Sequence, residues 1–427
     1  MIICKKRWER FGLSFLLSNK KKECFGCEAC VQICSQKAIF MKEDEEGFLY
    51  PNIDKKRCVN CGLCYQVCPH DCISIPKQKE RYVFGGYIYD KQILFRSTSG
   101  GAFSAIVDVF CDKDYVIFGA ESKGLVVWHS YVWNKTEIEK FRKSKYMQSS
   151  IGDAYIKIAE FLKSGKKVIF SGTPCQIAGL KAYLKKVNQD KLLTIEVICE
   201  GVPSPLYIRK YAKEIEKDKA CSIKQIDYRY KGHTFLGNYK WDFEGMEILL
   251  YDANNKGCRK IKKDRWFNPF WSIWLQHLMS RPSCYECPFA QPNRIADITL
   301  GDLWGVHIYC PDLYGKNGGS SLVIGNSNKG KDIVKKAQMR MYGRELDFDE
   351  VIKYQSSMRN HISQNRKRTQ FMKELQTETS IKRINKKWAE HLSFRLLCQK
   401  YLWGNRQKVW LWNIYNYVKL ILSKNRK

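Results

Sequence analysis

The sequence predicts a small α+β module fused to a larger α/β domain with a mixed or parallel sheet, followed by a helical, basic C-terminal segment. Three observations carry that reading. Eight cysteines near the start fall into two short runs of one pattern. From about residue 77, apolar strand-like stretches alternate with small-residue turns and amphipathic helices, the pattern of a sheet covered by helices. Charge is also uneven: the chain carries +31 overall, and residues 359–427 hold 17 Lys and Arg against 3 Glu.

The first run is Cys24-x2-Cys27-x2-Cys30-x3-Cys34, and the second is Cys58-x2-Cys61-x2-Cys64-x3-Cys68, followed by Pro69. Bacterial ferredoxins hold two [4Fe–4S] clusters with this spacing: three thiolates come from one tight loop, and the fourth Cys of each run reaches across to the other cluster. The expected sets are Cys24, Cys27 and Cys30 with Cys68, and Cys58, Cys61 and Cys64 with Cys34. Zinc and disulfides are the alternatives, and two complete copies in register disfavour them. Ser35 stands where proline usually follows the fourth Cys, which touches the turn and not the ligands. Residues 24–76 are therefore read as a ferredoxin-like 2[4Fe–4S] domain, with Ala38–Tyr50 forming two short strands around the turn Glu43–Gly47. Cys72 has no slot in either set and is read as a buried thiol. Residues 1–23 form a basic N-terminal arm.

At 427 residues the chain has room for two or three domains, and a 44% hydrophobic content supports a substantial core. Nineteen cysteines would suit a disulfide scaffold in a small secreted chain. Here the first 23 residues hold only a short apolar run broken by Ser14, so no signal peptide is recognised. Clustered thiols then point to a reducing cytoplasm and metal ligation. No window approaches the roughly 20 apolar residues of a membrane span.

Residues 77–330 read as the α/β domain. Tyr82–Tyr89 is strand-like, and Arg96–Gly101 is a small-residue loop entering a helix over Ala102–Phe110. Tyr115–Ala120 is a strand and Asp153–Lys163 an amphipathic helix. The strand Lys167–Phe170 turns through Ser171–Cys175 into a helix over Gln176–Lys186. The strand Leu192–Cys199 passes through Glu200–Pro205 into a helix over Leu206–Lys217. Residues 223–252 look like further strands, Phe267–Met279 like an aromatic-rich helix, and Ser283–Gly305 like a loop. Residues 331–427 are read as a basic helical segment containing Trp403, Trp410 and Trp412.

Ligands of such sheets bind at the carboxyl ends of strands, where these turns lie. Ser99, Gly100 and Gly101 open a helix whose free N–H groups suit a phosphate, although many Gly-Gly turns are only turns. Cys175 falls at a helix N-terminus, where thiolate is stabilised. With Cys199, Cys284 and Cys287 it offers four thiols from three segments for a third cluster, while Cys-x2-Cys alone also fits zinc or a redox dithiol. Asp297 and Asp302 suit a ribose hydroxyl or, more simply, a turn. His70 and His307 lie near the motifs without a catalytic pairing. The roles of Cys4, Cys111, Cys221, Cys258, Cys310 and Cys398 are open.

Six segments together resemble the coenzyme F-420 hydrogenase/dehydrogenase beta subunit family: RSTSGGAF at Arg96–Phe103, SKYMQS at Ser144–Ser149, FSGTPCQIAGL at Phe170–Leu180, CEGVPSP at Cys199–Pro205, the pair Cys284 and Cys287, and ADITLGDLW at Ala296–Trp304. The resemblance implies an FAD-containing α/β domain that passes electrons between iron–sulfur clusters and an organic molecule, coenzyme F-420 in some relatives and a tetrapyrrole in others. It implies pyrophosphate at the Gly100–Gly101 helix start, Lys145 countering phosphate charge, and Thr173 facing the flavin. It also strengthens Cys175, Cys199, Cys284 and Cys287 as ligands of a third [4Fe–4S] cluster.

The expected function is that of a cytoplasmic iron–sulfur flavoprotein oxidoreductase with two [4Fe–4S] clusters, FAD and a third cluster. The alternative is an electron-transfer subunit without its own substrate site that docks to a partner enzyme. Expected partners are a redox protein such as ferredoxin or a partner oxidoreductase, and a small-molecule acceptor. The basic tail allows peripheral contact with an anionic membrane at its inner face. Nucleic-acid binding is the weakest reading of that charge.

Overall fold

In the computed structural model, the structure describes residues 15–72, 74–233, 239–240, 245–252, 258–264, 268–314, 318–391, 393–394, 411, 414–415 and 418. The expectations for residues 1–14, for Cys4 and Cys398, and for the tail tryptophans Trp403, Trp410 and Trp412 lie outside the described residues.

The cysteine module is built on an antiparallel hairpin, β1 (Ile39–Glu43) and β2 (Leu49–Ile53), with Ile39 facing Ile53 and Glu43 facing Leu49. Asp44 shapes the turn: its side chain accepts from the Glu46 and Phe48 backbone N–H groups at 3.0 and 2.8 Å. The second strand runs past the expected end at Tyr50 and through Pro51, because among the described residues β2 pairs on one side and so needs no second row of donors.

The main sheet is mixed and has eight strands: β3 (Tyr82–Ile88), β4 (Tyr115–Lys123), β5 (Val126–Val132), β6 (Lys167–Gly172), β7 (Leu192–Val197), β13 (Ile298–Asp302), β14 (Ser321–Gly325) and β15 (Met341–Glu345), in the order β15-β3-β14-β13-β7-β6-β4-β5. The four central strands β13, β7, β6 and β4 are parallel, and the flanking strands pair antiparallel. Alternation along the parallel strands feeds two cores. Ile117, Ile169 and Leu193 join one face with the helices Ala102–Phe110 and Asn328–Ala337. Val116, Phe118, Val168, Phe170 and Leu192 join the other face with the helices Ala154–Lys163 and Pro174–Tyr183, and with Cys27, Ala29 and Val67 of the cysteine module.

A third core lies around the helix Pro205–Lys219, which Ser204 caps by accepting from the Tyr207 N–H. It packs on a small sheet of β8 (Ser222–Asp227), β11 (Gly245–Tyr251) and β12 (Cys258–Asp264). A two-residue ladder, β9 (Gly232–His233) with β10 (Tyr239–Lys240), stands apart. The helices Pro269–Leu275, Arg368–Thr377 and Ile381–Trp388 complete this core, with Phe371, Leu375, Ile384 and Trp388 turned inward and lysines outward. Among the described residues no helix is long and apolar enough to cross a membrane.

Residues 331–345, expected in the basic helical segment, instead supply most of the helix Asn328–Ala337 and the strand β15 of the main sheet; other boundaries differ for local reasons. The helix expected from Gln176 starts at Pro174, because proline suits the first helical position and the Gln176 side chain accepts from the Thr173 N–H at 3.0 Å. The loop expected over Ser283–Gly305 contains β13, a central strand only five residues long with Gly301 inside it, too short for periodicity to reveal.

Candidate functional site

Three cavities lie side by side. The first is small, about 30 Å³, and is lined by Cys24, Cys27, Cys30, Cys64 and Cys68. Burial pushes the Cys27 and Cys30 thiols well up, and Cys24 and Cys68 add to the shift in each. The last Cys of the second run thus stands with the first three of the first run. Cys58 and Cys61 stand near Cys64, whose thiol burial raises to about 11. The Cys34 Sγ accepts from the Ala38 N–H at 3.3 Å. Among the described residues no three His, Cys, Asp or Glu side chains group around one metal ion. Four thiolates at the corners of an iron–sulfur cube have no need to meet at a point.

The second cavity, about 50 Å³, is lined by Cys175, Cys199, Cys284 and Cys287. Cys175 is in the first turn of the helix Pro174–Tyr183, Cys199 follows β7, and the other two belong to the turn Pro282–Glu286 and the residue that ends it. Burial raises all four thiols: Cys284 to about 12, Cys287 to about 11, Cys199 well up and Cys175 up. Cys199 feels the other three, and Cys284 and Cys287 each feel Cys175. Such thiols are protonated when free and release their protons on binding iron. The Thr173 hydroxyl lies 3.1 Å from the Cys175 Sγ.

The third cavity is the largest, about 410 Å³, inside the roughly 300–1,000 Å³ range of cofactor sites. Ser99, Gly101, Lys145 and Thr173 line it, as do Ala102 and Phe103 at the helix start. Gly101 has φ +81°, which glycine adopts freely. Gly100 lies behind the wall: its N–H donates to the Ser321 Oγ at 2.9 Å, and the Ser99 Oγ donates to the Ser320 carbonyl at 2.8 Å. These two residues pin the loop to β14. The Lys145 ammonium donates to the Lys140 and Arg142 carbonyls at 3.1 and 2.7 Å, and burial lowers it to about 7. Two buried side-chain nitrogens, His129 Nδ1 and Trp271 Nε1, have no partner among the described residues, and both residues line this cavity. Burial holds His129 near 4, so its ring is neutral. Unused polar atoms in a wall of this size fit a bound organic group.

The cavities share walls. Cys175, Cys199, Thr173 and Gly201 border both the second and the third. Phe25, in the first cysteine run, borders all three. Its ring meets Phe289 edge-on at 5.4 Å and His70 at 5.9 Å. The helix Pro174–Tyr183 is tight against the module: a Cβ on Gly179 would come within 3.0 Å of the Cys27 Cβ and Sγ.

The two aspartates separate. Asp297 accepts from the Thr194 N–H and hydroxyl at 2.9 and 2.7 Å and from the Ser327 hydroxyl at 2.6 Å, a structural lock. Asp302 borders the large cavity in a buried ion pair with Arg229 at 2.7 Å. Sequence reasoning missed Phe25, Arg229 and Arg281, none of which carries a spacing signal.

Residues 165–351 match the family model for the C-terminal part of the coenzyme F420 hydrogenase/dehydrogenase beta subunit, and residues 23–72 match the 4Fe-4S dicluster domain. A solved structure of the F420-reducing [NiFe] hydrogenase complex from Methanosarcina barkeri, derivatised with xenon, is similar at 17% identity and a TM-score of 0.38, over 74% of this chain and 94% of that one. No curated protein matches. Residues 165–351 are thus similar to the C-terminal part of the coenzyme F420 hydrogenase/dehydrogenase beta subunit, and the dicluster domain at residues 23–72 makes this an iron–sulfur protein.

Proposed function

We propose that this protein is an iron–sulfur flavoprotein oxidoreductase that passes electrons between [4Fe–4S] clusters, FAD and an organic molecule, coenzyme F-420 or another small acceptor. The observation that carries this reading is the shared walls: the dicluster cavity, a four-cysteine cavity and a cofactor-sized cavity all meet at Phe25. Cys24, Cys27, Cys30 and Cys68 would hold one cluster, Cys58, Cys61, Cys64 and Cys34 a second, and Cys175, Cys199, Cys284 and Cys287 a third. FAD would lie in the large cavity, its pyrophosphate at the N–H groups of the helix starting at Ala102, with Lys145 and Thr173 alongside. A bound flavin exchanges single electrons with clusters and electron pairs with organic molecules, which is the reason to join such modules.

The chain's own residues support that arrangement. Phe25 and Phe289 set two apolar rings edge to face beside the cysteine sites. Thr173 holds a hydroxyl against Cys175. The neutral His129 and the Trp271 N–H offer hydrogen bonds without adding charge.

A second reading, an electron-transfer subunit that docks to a partner enzyme, is favoured by one surface. Cys61 is exposed, ringed by exposed Val59 and Leu63 and by the exposed cations Lys55, Lys56 and Arg57. That surface suits an acidic redox carrier. Anaerobic purification with iron, sulfide and flavin analysis tests the leading reading. About twelve irons and one FAD per chain are expected; about eight irons and no flavin overturn it and leave the docking subunit.

A further inference from the structure

Four arginines are buried among the described residues: Arg229, Arg281, Arg294 and Arg368. Three of them pair with carboxylates, Arg229 with Asp302, Arg294 with Glu196 and Arg368 with Glu46. Arg281, only 1% exposed, is the exception: among the described residues no carboxylate lies within ion-pair distance of it. Its Nε donates to the Cys24 carbonyl at 2.9 Å, one Nη to the Gln148 Oε1 at 2.8 Å, and the other Nη to the Leu49 carbonyl at 3.0 Å. The guanidinium lies 4.3 Å from the Tyr50 ring centre and 5.5 Å from that of Phe48. All of these partners are neutral.

A buried cation without a counter-charge is strongly disfavoured, so its surroundings point to where the negative charge belongs. The groups that stabilise Arg281 include Cys24, which belongs to the inner dicluster set, and Cys284, which belongs to the four-cysteine cavity. Arg281 also lines that cavity. One fixed positive charge is thus wedged between two sets of thiolates, with no carboxylate to balance it among the described residues.

We propose that Arg281 is a shared positioning charge that holds up the reduction potentials of the inner dicluster site and the four-cysteine site together. Each one-electron reduction adds one negative charge to a site, and the guanidinium stays protonated throughout. A single cation between the two favours the reduced form of both. The inference rests on the reading that both cysteine sets hold [4Fe–4S] clusters.

The test is a redox titration of the full-length, anaerobically purified protein followed by electron paramagnetic resonance. In Arg281→Gln both potentials fall, each by about tenfold in the reduction equilibrium, about 59 mV for a one-electron couple. The outer cluster of Cys58, Cys61 and Cys64 stays where it was. Arg281→Lys, which keeps the charge, restores both. Unmoved potentials in iron-replete Arg281→Gln overturn the proposal, and so does an equal shift of all three clusters, which would signal general loosening. Should Arg281→Gln be recovered without full iron, Gln148→Glu carries the test, because it sets a carboxylate of the same shape on the guanidinium. The same paired fall supports the proposal, and unmoved potentials overturn it. A wild-type iron content of about eight overturns the reading beneath it, whereas full iron with unmoved potentials overturns this proposal alone.

Discussion

The two cysteine runs have the same spacing and nearly the same backbone, yet they face different worlds. In each, the residue before the second cysteine and the residue after it adopt positive φ: Gly26 at 68° and Glu28 at 58° in the first run, Asn60 at 54° and Gly62 at 75° in the second. Each run then enters a one-turn helix, Ala29–Gln32 or Leu63–Gln66. The first run is enclosed: Cys27, Glu28 and Ala29 are buried, and the Gln32 side chain accepts from the Tyr155 N–H at 2.8 Å. The second is open, with Cys61 exposed and Val59 63% exposed. Spacing sets the loop, and long-range packing decides whether that loop looks into the protein or out of it. One motif can therefore serve as an inner terminal and an outer one.

The contrast can be broken most severely at Gly179. A valine there drives its Cβ into Cys27 and the Tyr155 hydroxyl. We expect Gly179→Val to lose the inner cluster, a fall of about four irons per chain by chemical analysis, while the resonance of the outer cluster persists. Full iron content would mean that the inner loop is not held by this helix. At the outer run, Lys55→Glu with Lys56→Glu is expected to slow reduction by an acidic ferredoxin about tenfold at low ionic strength, an effect that fades at high salt. Reduction by a small uncharged mediator should not change, and stopped-flow absorbance distinguishes the two.

The smallest effect is expected where the runs differ by a single local choice. Glu28 holds a left-handed conformation because its carboxylate accepts from the Ser150 hydroxyl at 3.3 Å and the Gly152 N–H at 3.2 Å. Gly62 takes the same conformation freely. Glu28→Gly relieves strain but loses both bonds, so a net loss of about 1 kcal/mol is expected in denaturant unfolding. Gly62→Glu adds the strain with no such partner, again about 1 kcal/mol.

What could be read in the sequence was local. Ligand spacing, the strand–turn–helix units and the small-residue turns sit within a few residues of one another, so they show in a linear string. Cys175, Cys199, Cys284 and Cys287 were visible only as candidates, because their meeting depends on β7 and the Pro174–Tyr183 helix lying side by side. Phe25 looked like any residue between ligands, and Arg281 like any arginine before a proline. Their meaning comes from partners more than 100 residues away in the chain, Phe289 for one and Cys24 and Gln148 for the other. The basic character of the C-terminal segment hid its helices' inward faces, since lysines on the outside dominate the composition while Phe371, Ile384 and Trp388 fill a core.

The hydrogen bond from Arg281 to the Cys24 carbonyl spans 257 residues of sequence. At a synthesis rate of about 5–20 residues per second, roughly 10–50 s separate the emergence of the two partners. Throughout that interval the inner cysteine loop lacks its Arg281 partner, while the eight dicluster cysteines are already out of the ribosome for most of it. The nascent chain thus has a window in which both dicluster loops are out without Arg281, and the arrival of residue 281 adds a late anchor to the inner one. Early in synthesis the inner loop therefore stands without the bond that later anchors it, whereas the outer run, with Cys61 exposed, has no such late partner among the described residues.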